Sequence, residues 1–258
     1  MNYIRLDKFI ADNSGLSRSQ VKDAVKNGLV KSNGIITKQT DLKINPDSDI
    51  IELDGKNITY RKNRYILLNK PAGYVCSTSD PVSPTVLDLL PPELSKKVFP
   101  AGRLDKDSEG MVLLTNDGEL AHRILTPEKH VPKFYIVKLA EEFKIQYIDL
   151  FANGMSLSNG EVCLPARVFP LENDDLWAIV ELREGKFHQV KRMFATAGNE
   201  VEYLFRFCIG NLQIPEKLAI GDFMELMHKD VERLLQPPDY DDILRNLYVY
   251  FSSYLINK

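Results

Sequence analysis

At 258 residues, 44% hydrophobic and 27% charged, the chain has the composition of a folded protein with room for one large or two smaller domains. Its 33 Lys and Arg against 36 Asp and Glu leave a formal charge of −3, which excludes a protein that coats nucleic acid through overall positive charge; any such contact must come from a local cluster. The longest apolar runs, such as Tyr65-Ile-Leu-Leu68, are far too short for a bilayer. The opening Met1-Asn-Tyr-Ile-Arg-Leu-Asp7 lacks a signal-peptide core, so a cytoplasmic protein without membrane contact is expected.

Taken from the amino terminus, Ser17-Arg-Ser-Gln20 has the spacing of a capping box, Val21, Ala24 and Val25 mark an apolar face, and Gly28 follows. A short helix is predicted over 18–27. Arg18, Lys22 and Lys26 share a second face at spacings of four. That ridge is either a solvated surface or, with Lys31 following, a set of cations at phosphate reach. Asn33-Gly34 predicts a hairpin turn between two short strands. The polar run 55–64 reads as a linker, which makes residues 1–60 a small separate unit.

From Tyr65 onward, strands are predicted at 65–69, 111–115, 133–139, 177–183 and 200–207. Helices are predicted near 119–125, 141–152 and 187–197, the last ended by Gly198. The absence of a regular βαβ rhythm and of a Gly-rich nucleotide loop favours an α+β class with a mainly antiparallel sheet over residues 61–235. Past Pro237-Pro238, Ile243, Leu247, Tyr250, Phe251 and Tyr254 fall at helical spacing. Residues 236–258 are therefore expected to add an amphipathic helix that docks on the preceding domain or binds a partner.

Cys76, Cys163 and Cys208 are odd in number and widely separated, and His122, His130, His188 and His228 share no metal-ligand spacing with them. Neither a disulfide framework nor a metal is expected. The chemistry-bearing segment is Phe99-Pro-Ala-Gly-Arg-Leu-Asp-Lys-Asp-Ser-Glu-Gly110, a charged loop that runs into the apolar Met111-Val-Leu-Leu114. Asp105, Asp107 and Glu109 match the opening of a calcium loop, but the twelfth position, where Glu belongs, is Asn116. Two further readings are a solvated charge network and a glycosidase pair formed by Asp105 and Asp107. Lys106 and the lack of a nearby aromatic sugar platform speak against the pair.

Three segments, Asn69-Lys-Pro-Ala-Gly73, Gly102-Arg-Leu-Asp105 and Glu184-Gly-Lys-Phe-His-Gln-Val-Lys-Arg-Met193, resemble the motifs of the small-subunit-type ribosomal pseudouridine synthases. Arg5-Leu-Asp-Lys-Phe-Ile10 and the helix after it resemble an S4 RNA-binding domain. The resemblance implies an S4 unit followed by a mixed-sheet catalytic domain with a central RNA cleft, working without cofactor or metal. The implied partner is ribosomal RNA, namely 16S RNA within a partly assembled small subunit. Phe187 and His188 carry that branch choice, because large-subunit relatives have Asn-Arg there. A 23S RNA target is the alternative, and a noncatalytic ribosome assembly factor is the rival from another class.

Residue roles follow from the same resemblance. Asp105 falls on the catalytic Asp, and Lys186 on the basic residue that pairs with it, or else on a phosphate contact. Tyr135, in Lys133-Phe-Tyr135, falls on the Tyr that stacks on the flipped base; otherwise it is core, with Phe134 facing the other way. Arg103 matches the residue that replaces the extruded base, or makes a local salt bridge. Lys191 and Arg192 are expected at phosphates, alongside the ridge of Arg18, Lys22 and Lys26. His188 is expected to touch RNA or make a structural hydrogen bond rather than act as a general base, and Asn69, Lys70 and Pro71 to shape the cleft floor.

Overall fold

The computed structural model describes residues 3–60, 62–126, 131–171 and 174–255, with residues 254 and 255 as backbone only. Arg61, His130 and the side chain of Tyr254 lie outside the described residues. The chain divides into two compact units, Met1–Asn63 and Arg64–Lys258.

In the first unit, strand β1 (Ile4–Arg5) leads into helices α1 (Leu6–Ser14) and α2 (Arg18–Lys26), followed by β2 (Val30–Ser32), β3 (Ile35–Ile36), β4 (Lys43–Ile44), β5 (Ile51–Leu53) and β6 (Lys56–Asn57). The capping box of α2 is complete: Ser17 accepts from the Gln20 amide and Gln20 accepts from the Ser17 amide. Its apolar face, Val21, Ala24 and Val25, closes over Leu6, Phe9, Ile10, Val30, Ile44 and Ile51. The β2–β3 turn puts both Asn33 (φ 53°) and Gly34 (φ 79°) in the left-handed region, as a two-residue hairpin requires. Arg18, Lys22 and Lys26 stand exposed, with no ion pair among the described residues.

The second unit comprises β7 (Tyr65–Lys70), α3 (Pro92–Ser95), β8 (Phe99–Pro100), β9 (Glu109–Thr115), α4 (Gly118–Leu125), β10 (Lys133–Leu139), α5 (Gln146–Ala152), β11 (Arg167–Leu171) and β12 (Asp174–Leu182). It continues with α6 (Gln189–Thr196), β13 (Val201–Ile209), β14 (Leu212–Gln213), β15 (Phe223–Glu225), α7 (His228–Arg233) and α8 (Tyr240–Tyr250). The sheet runs β11-β12-β10-β13-β9-β7-β15, with β8 on β9 and β14 on β13. Its pairs are antiparallel except β13 with β9. The class is α+β with a mainly antiparallel sheet.

Alternation along the strands builds a core on each face. Tyr135, Val137, Val112, Leu114 and Val180 meet α5 and α6 through Tyr147, Phe151, Met193 and Phe194. Phe134, Ile136, Leu113, Ile179 and Phe207 meet α4, α7 and α8. Helix α8 buries Ile243, Leu247 and Tyr250, so the carboxy-terminal helix belongs to this core rather than standing off from it.

Two helices are shorter than predicted, for identifiable reasons. Instead of 141–152, α5 starts at Gln146, because the amides of Ala140, Glu141 and Phe143 are engaged by Glu200 O, Asn199 Oδ1 and Asp175 O. Helix α6 starts at Gln189 because His188 has φ 48° and cannot continue a right-handed helix.

Candidate active site

Asp105 lies in the loop between β8 and β9, and that loop is tied down from below at several points. Lys70, fully buried at the end of β7, donates from Nζ to the carbonyls of Pro71 (3.0 Å), Lys106 (3.2 Å) and Ser108 (2.7 Å). Burial pushes the Lys70 ammonium down to about 8, against the pull of Cys76, Asp107, Glu109 and Asp105. The Leu104 amide donates to Cys76 Sγ at 3.3 Å, and the Gly73 amide to Lys106 O at 2.7 Å. Buried Arg206, on β13, donates to Met111 O (2.8 Å) and Arg103 O (3.3 Å), leaving Nη2 buried without a partner. A Cβ on Gly110 would lie 2.4 Å from Arg206 O, so the parallel β9–β13 contact under the loop needs glycine there.

A second segment arrives from β12. Gln189 accepts the Lys186 amide at Oε1 (2.9 Å) and donates from Nε2 to Glu184 Oε1 (2.6 Å), while Glu184 also accepts the Leu164 amide (2.9 Å). This locked turn, with the left-handed His188, aims the imidazole at the loop. His188 Nε2 stands 3.5 Å from Asp105 Oδ1, and the Asp105 side chain retains 25% of its exposure.

These elements enclose a cleft of about 970 Å³ lined by Arg103, Asp105, Tyr135, Lys186, His188 and Arg206, among others. Tyr135 is only 6% exposed: its ring belongs to the core and also borders the cleft. Pairing of β10 with β13 slips between Phe134 and Tyr135, a local irregularity beside the site. Lys133, two residues earlier, is pushed down to about 8 by burial and by the Arg206 cation.

Several expectations are corrected here. Lys186 makes no ion pair with Asp105 among the described residues; its Nζ is 3.5 Å from Glu184 Oε2, because Glu184 is held two residues away with that oxygen turned toward it. The neighbour of Asp105 is His188 instead. Lys191 and Arg192, expected at phosphates, are engaged within the protein. Lys191 meets Asp107 at 2.6 Å, and its hydrogen bond and charge outweigh burial to hold the Asp107 carboxyl below its ordinary value. Arg192 binds Glu161 (2.7 Å), Asn159 and Phe187 O (3.1 Å). Arg103 is exposed and makes no ion pair among the described residues, contrary to the local salt bridge.

The carboxylates of the loop also diverge. Asp107 goes to Lys191, and Glu109 to the Tyr203 hydroxyl at 2.5 Å. Neither a calcium cage nor a carboxylate pair with Asp105 forms, and among the described residues no group of three His, Cys, Asp or Glu is placed to hold a metal ion.

Residues 64–196, which contain every part of this cleft up to α6, match the sequence profile of RNA pseudouridylate synthases. The chain belongs to that family. Among its relatives, the RNA pseudouridine synthase YtzG of Bacillus subtilis is 40% identical over 237 residues, covering 91% of this chain and 99% of that protein. The ribosomal small subunit pseudouridine synthase A of Haemophilus influenzae is 40% identical over 234 residues (90% and 100%), and that of Escherichia coli K12 38% over 229 residues (88% and 98%). A crystal structure of a pseudouridylate synthase, 40% identical, covers 90% of this chain and 99% of its own, with a TM-score of 0.64. The protein is thus an RNA pseudouridine synthase, an enzyme that isomerises uridine within RNA.

For a synthase of this kind, residue-by-residue reading underrated Lys70, Arg206 and the contact of His188 with Asp105. Lys70 and Arg206 do leave a trace: each is a cation in an otherwise apolar strand run, Tyr65-Ile-Leu-Leu68 before Asn69-Lys70 and Leu204-Phe-Arg-Phe-Cys-Ile209. Such a residue has to find carbonyls or acids in the interior. The His188 contact leaves none, because it depends on one backbone torsion.

Proposed function

We propose that this protein converts a uridine of small-subunit (16S) ribosomal RNA to pseudouridine, with Asp105 as the catalytic carboxylate. The observation that carries the assignment is a carboxylate open to the cleft on a loop whose neighbouring carbonyls are fixed by Lys70 and Arg206. The reaction breaks the bond from ribose C1′ to uracil N1, turns the base and joins C1′ to C5. The C5 proton leaves and N1 gains one, so no cofactor is called for. A fixed carboxylate serves this chemistry by attacking C1′, by steadying positive charge on the ribose, or by taking a ribose proton.

Tyr135 is the stacking surface for the extruded uracil, Arg103 enters the space the base leaves, and Lys186, beside Glu184, contacts the RNA backbone. The first unit acts as an S4-type RNA-binding domain, with Arg18, Lys22 and Lys26 at phosphates. The small-subunit target is supported by relatives of that name at 36–40% identity. A partly assembled small subunit in the cytoplasm presents folded RNA to the ridge and the cleft together.

The test is to incubate the protein separately with 16S RNA, small-subunit particles and 23S RNA carrying tritium at uridine C5, measure tritium release and map the pseudouridines. Release from 16S RNA or the particles is expected. Release from 23S RNA alone would overturn the target, and none from any RNA would overturn the assignment of the site.

A further inference from the structure

We propose that Phe187 is a stacking platform at the mouth of the cleft for an unpaired nucleobase adjacent to the target uridine. The inference rests on the synthase reading of the cleft and adds a second recognised base to it. Phe187 is 68% exposed although it borders the cleft. Its ring lies 3.8 Å from the His188 ring, with planes 17° apart, so one face is covered by imidazole and the exposure belongs to the other.

The imidazole edge in turn meets Asp105, so the aromatic surface is registered to the reacting carboxylate through one intervening ring. The backbone under it is fixed: Arg192 donates to Phe187 O at 3.1 Å while holding Glu161, and Gln189 accepts the Lys186 amide. An uncovered phenyl face on a clamped backbone suits a flat ligand.

The surroundings point to a nucleotide. Lys186 lines the same cleft and would meet the phosphates of a strand whose base rests on the ring. Stacking on the open face of a ring at the cleft mouth requires an unpaired base.

The experiment uses the full chain as wild type and as Phe187→Ala, Phe187→Leu and Phe187→Trp, with 16S and 23S RNA transcripts carrying tritium at uridine C5. Filter retention reads affinity and tritium release reads turnover. Phe187→Ala and Phe187→Leu are expected to lower affinity and kcat/KM roughly ten-fold, Phe187→Trp to stay near wild type, and all to keep the wild-type melting temperature. Wild-type behaviour of Phe187→Leu or Phe187→Ala in both readouts would overturn the platform. Retention without tritium release by the wild type would count against the synthase reading while the affinities still decide the platform, and no retention of either transcript by the wild type would overturn both.

Discussion

On α2 the cations Arg18, Lys22 and Lys26 stand in the open, whereas on α6 Lys191 and Arg192 are already bound to Asp107, Glu161 and Asn159. Both helices carry basic residues on an amphipathic scaffold, and in sequence both look suited to phosphates. The difference lies in what the rest of the fold brings to them. The α2 ridge has no acidic loop folded over it within the described residues. The α6 pair receives carboxylates from segments 84 and 31 residues away. The first unit thus leaves these three cations exposed, while the second engages Lys191 and Arg192 as scaffold and leaves Asp105 partly open in a cleft.

The largest effect should come from Asp105→Asn, which keeps the shape of a side chain that meets His188 at 3.5 Å. Tritium release should fall on the order of a thousand-fold or more, with the melting temperature and RNA affinity little changed. Robust turnover would show that the charge left open in the second unit is not the reacting group.

Next in size are changes at Tyr135, which separate the core packing of its ring from the role proposed for it in the cleft. Tyr135→Ala should lose activity together with about 3 kcal/mol or more of stability, since the ring fills the core on the cleft face. Tyr135→Phe should fold like the wild type while turning over roughly a hundred-fold more slowly, if its hydroxyl moves the last proton. Equal, mild effects in a paired denaturation and turnover measurement would reduce Tyr135 to a core residue.

Replacing Arg18, Lys22 and Lys26 together by Ala should weaken RNA binding and lower the slope of log affinity against log salt by up to about three, with no change in unfolding. Arg192→Ala should do the reverse, lowering stability modestly through the 159–161 turn and leaving the slope alone. A salt slope that responds to Arg192 and not to the ridge would invert the comparison.

The smallest effect is a pH slope. Lys70 is depressed from 10.5 to about 8 by burial, so between those values the unfolded chain binds a proton that the native state has lost. Its contribution therefore makes the unfolding free energy rise with pH across that window. Lys133 behaves alike, so the informative quantity is the stability difference between wild type and Lys70→Met, measured by urea unfolding at about pH 7 and about pH 10. The difference should move in favour of the wild type as pH rises, and a constant difference would mean that Lys70 is not depressed.

Legibility differed sharply within the site. Asp105 and Tyr135 stand out through the resemblance of their segments to family motifs; local spacing places them on a loop between turns and on a strand of period two, where a solvated charge and a core ring are equally at home. The pairing of Lys186 did not follow from sequence, because Glu184 competes for it only once Leu164 and Gln189 have fixed that carboxylate. Helix α5 was overextended for the same reason: the amides of Glu141 and Phe143 are taken by Asn199 and Asp175, remote in sequence.

By itself, then, the sequence determined the fold class, the capped helix α2 and its cation ridge, the alternation that faces Tyr135 and Phe134 apart, and the loop that carries Asp105. All of these rest on interactions spanning a few residues, where spacing dictates geometry. Only the tertiary structure decided that His188 stands beside Asp105, that Lys70 and Arg206 fix the loop from beneath, and that Lys191 and Arg192 are already bound. Those outcomes depend on which buried or half-buried charges meet across the sheet, and a charge taken from water settles on whichever partner the packing brings within reach.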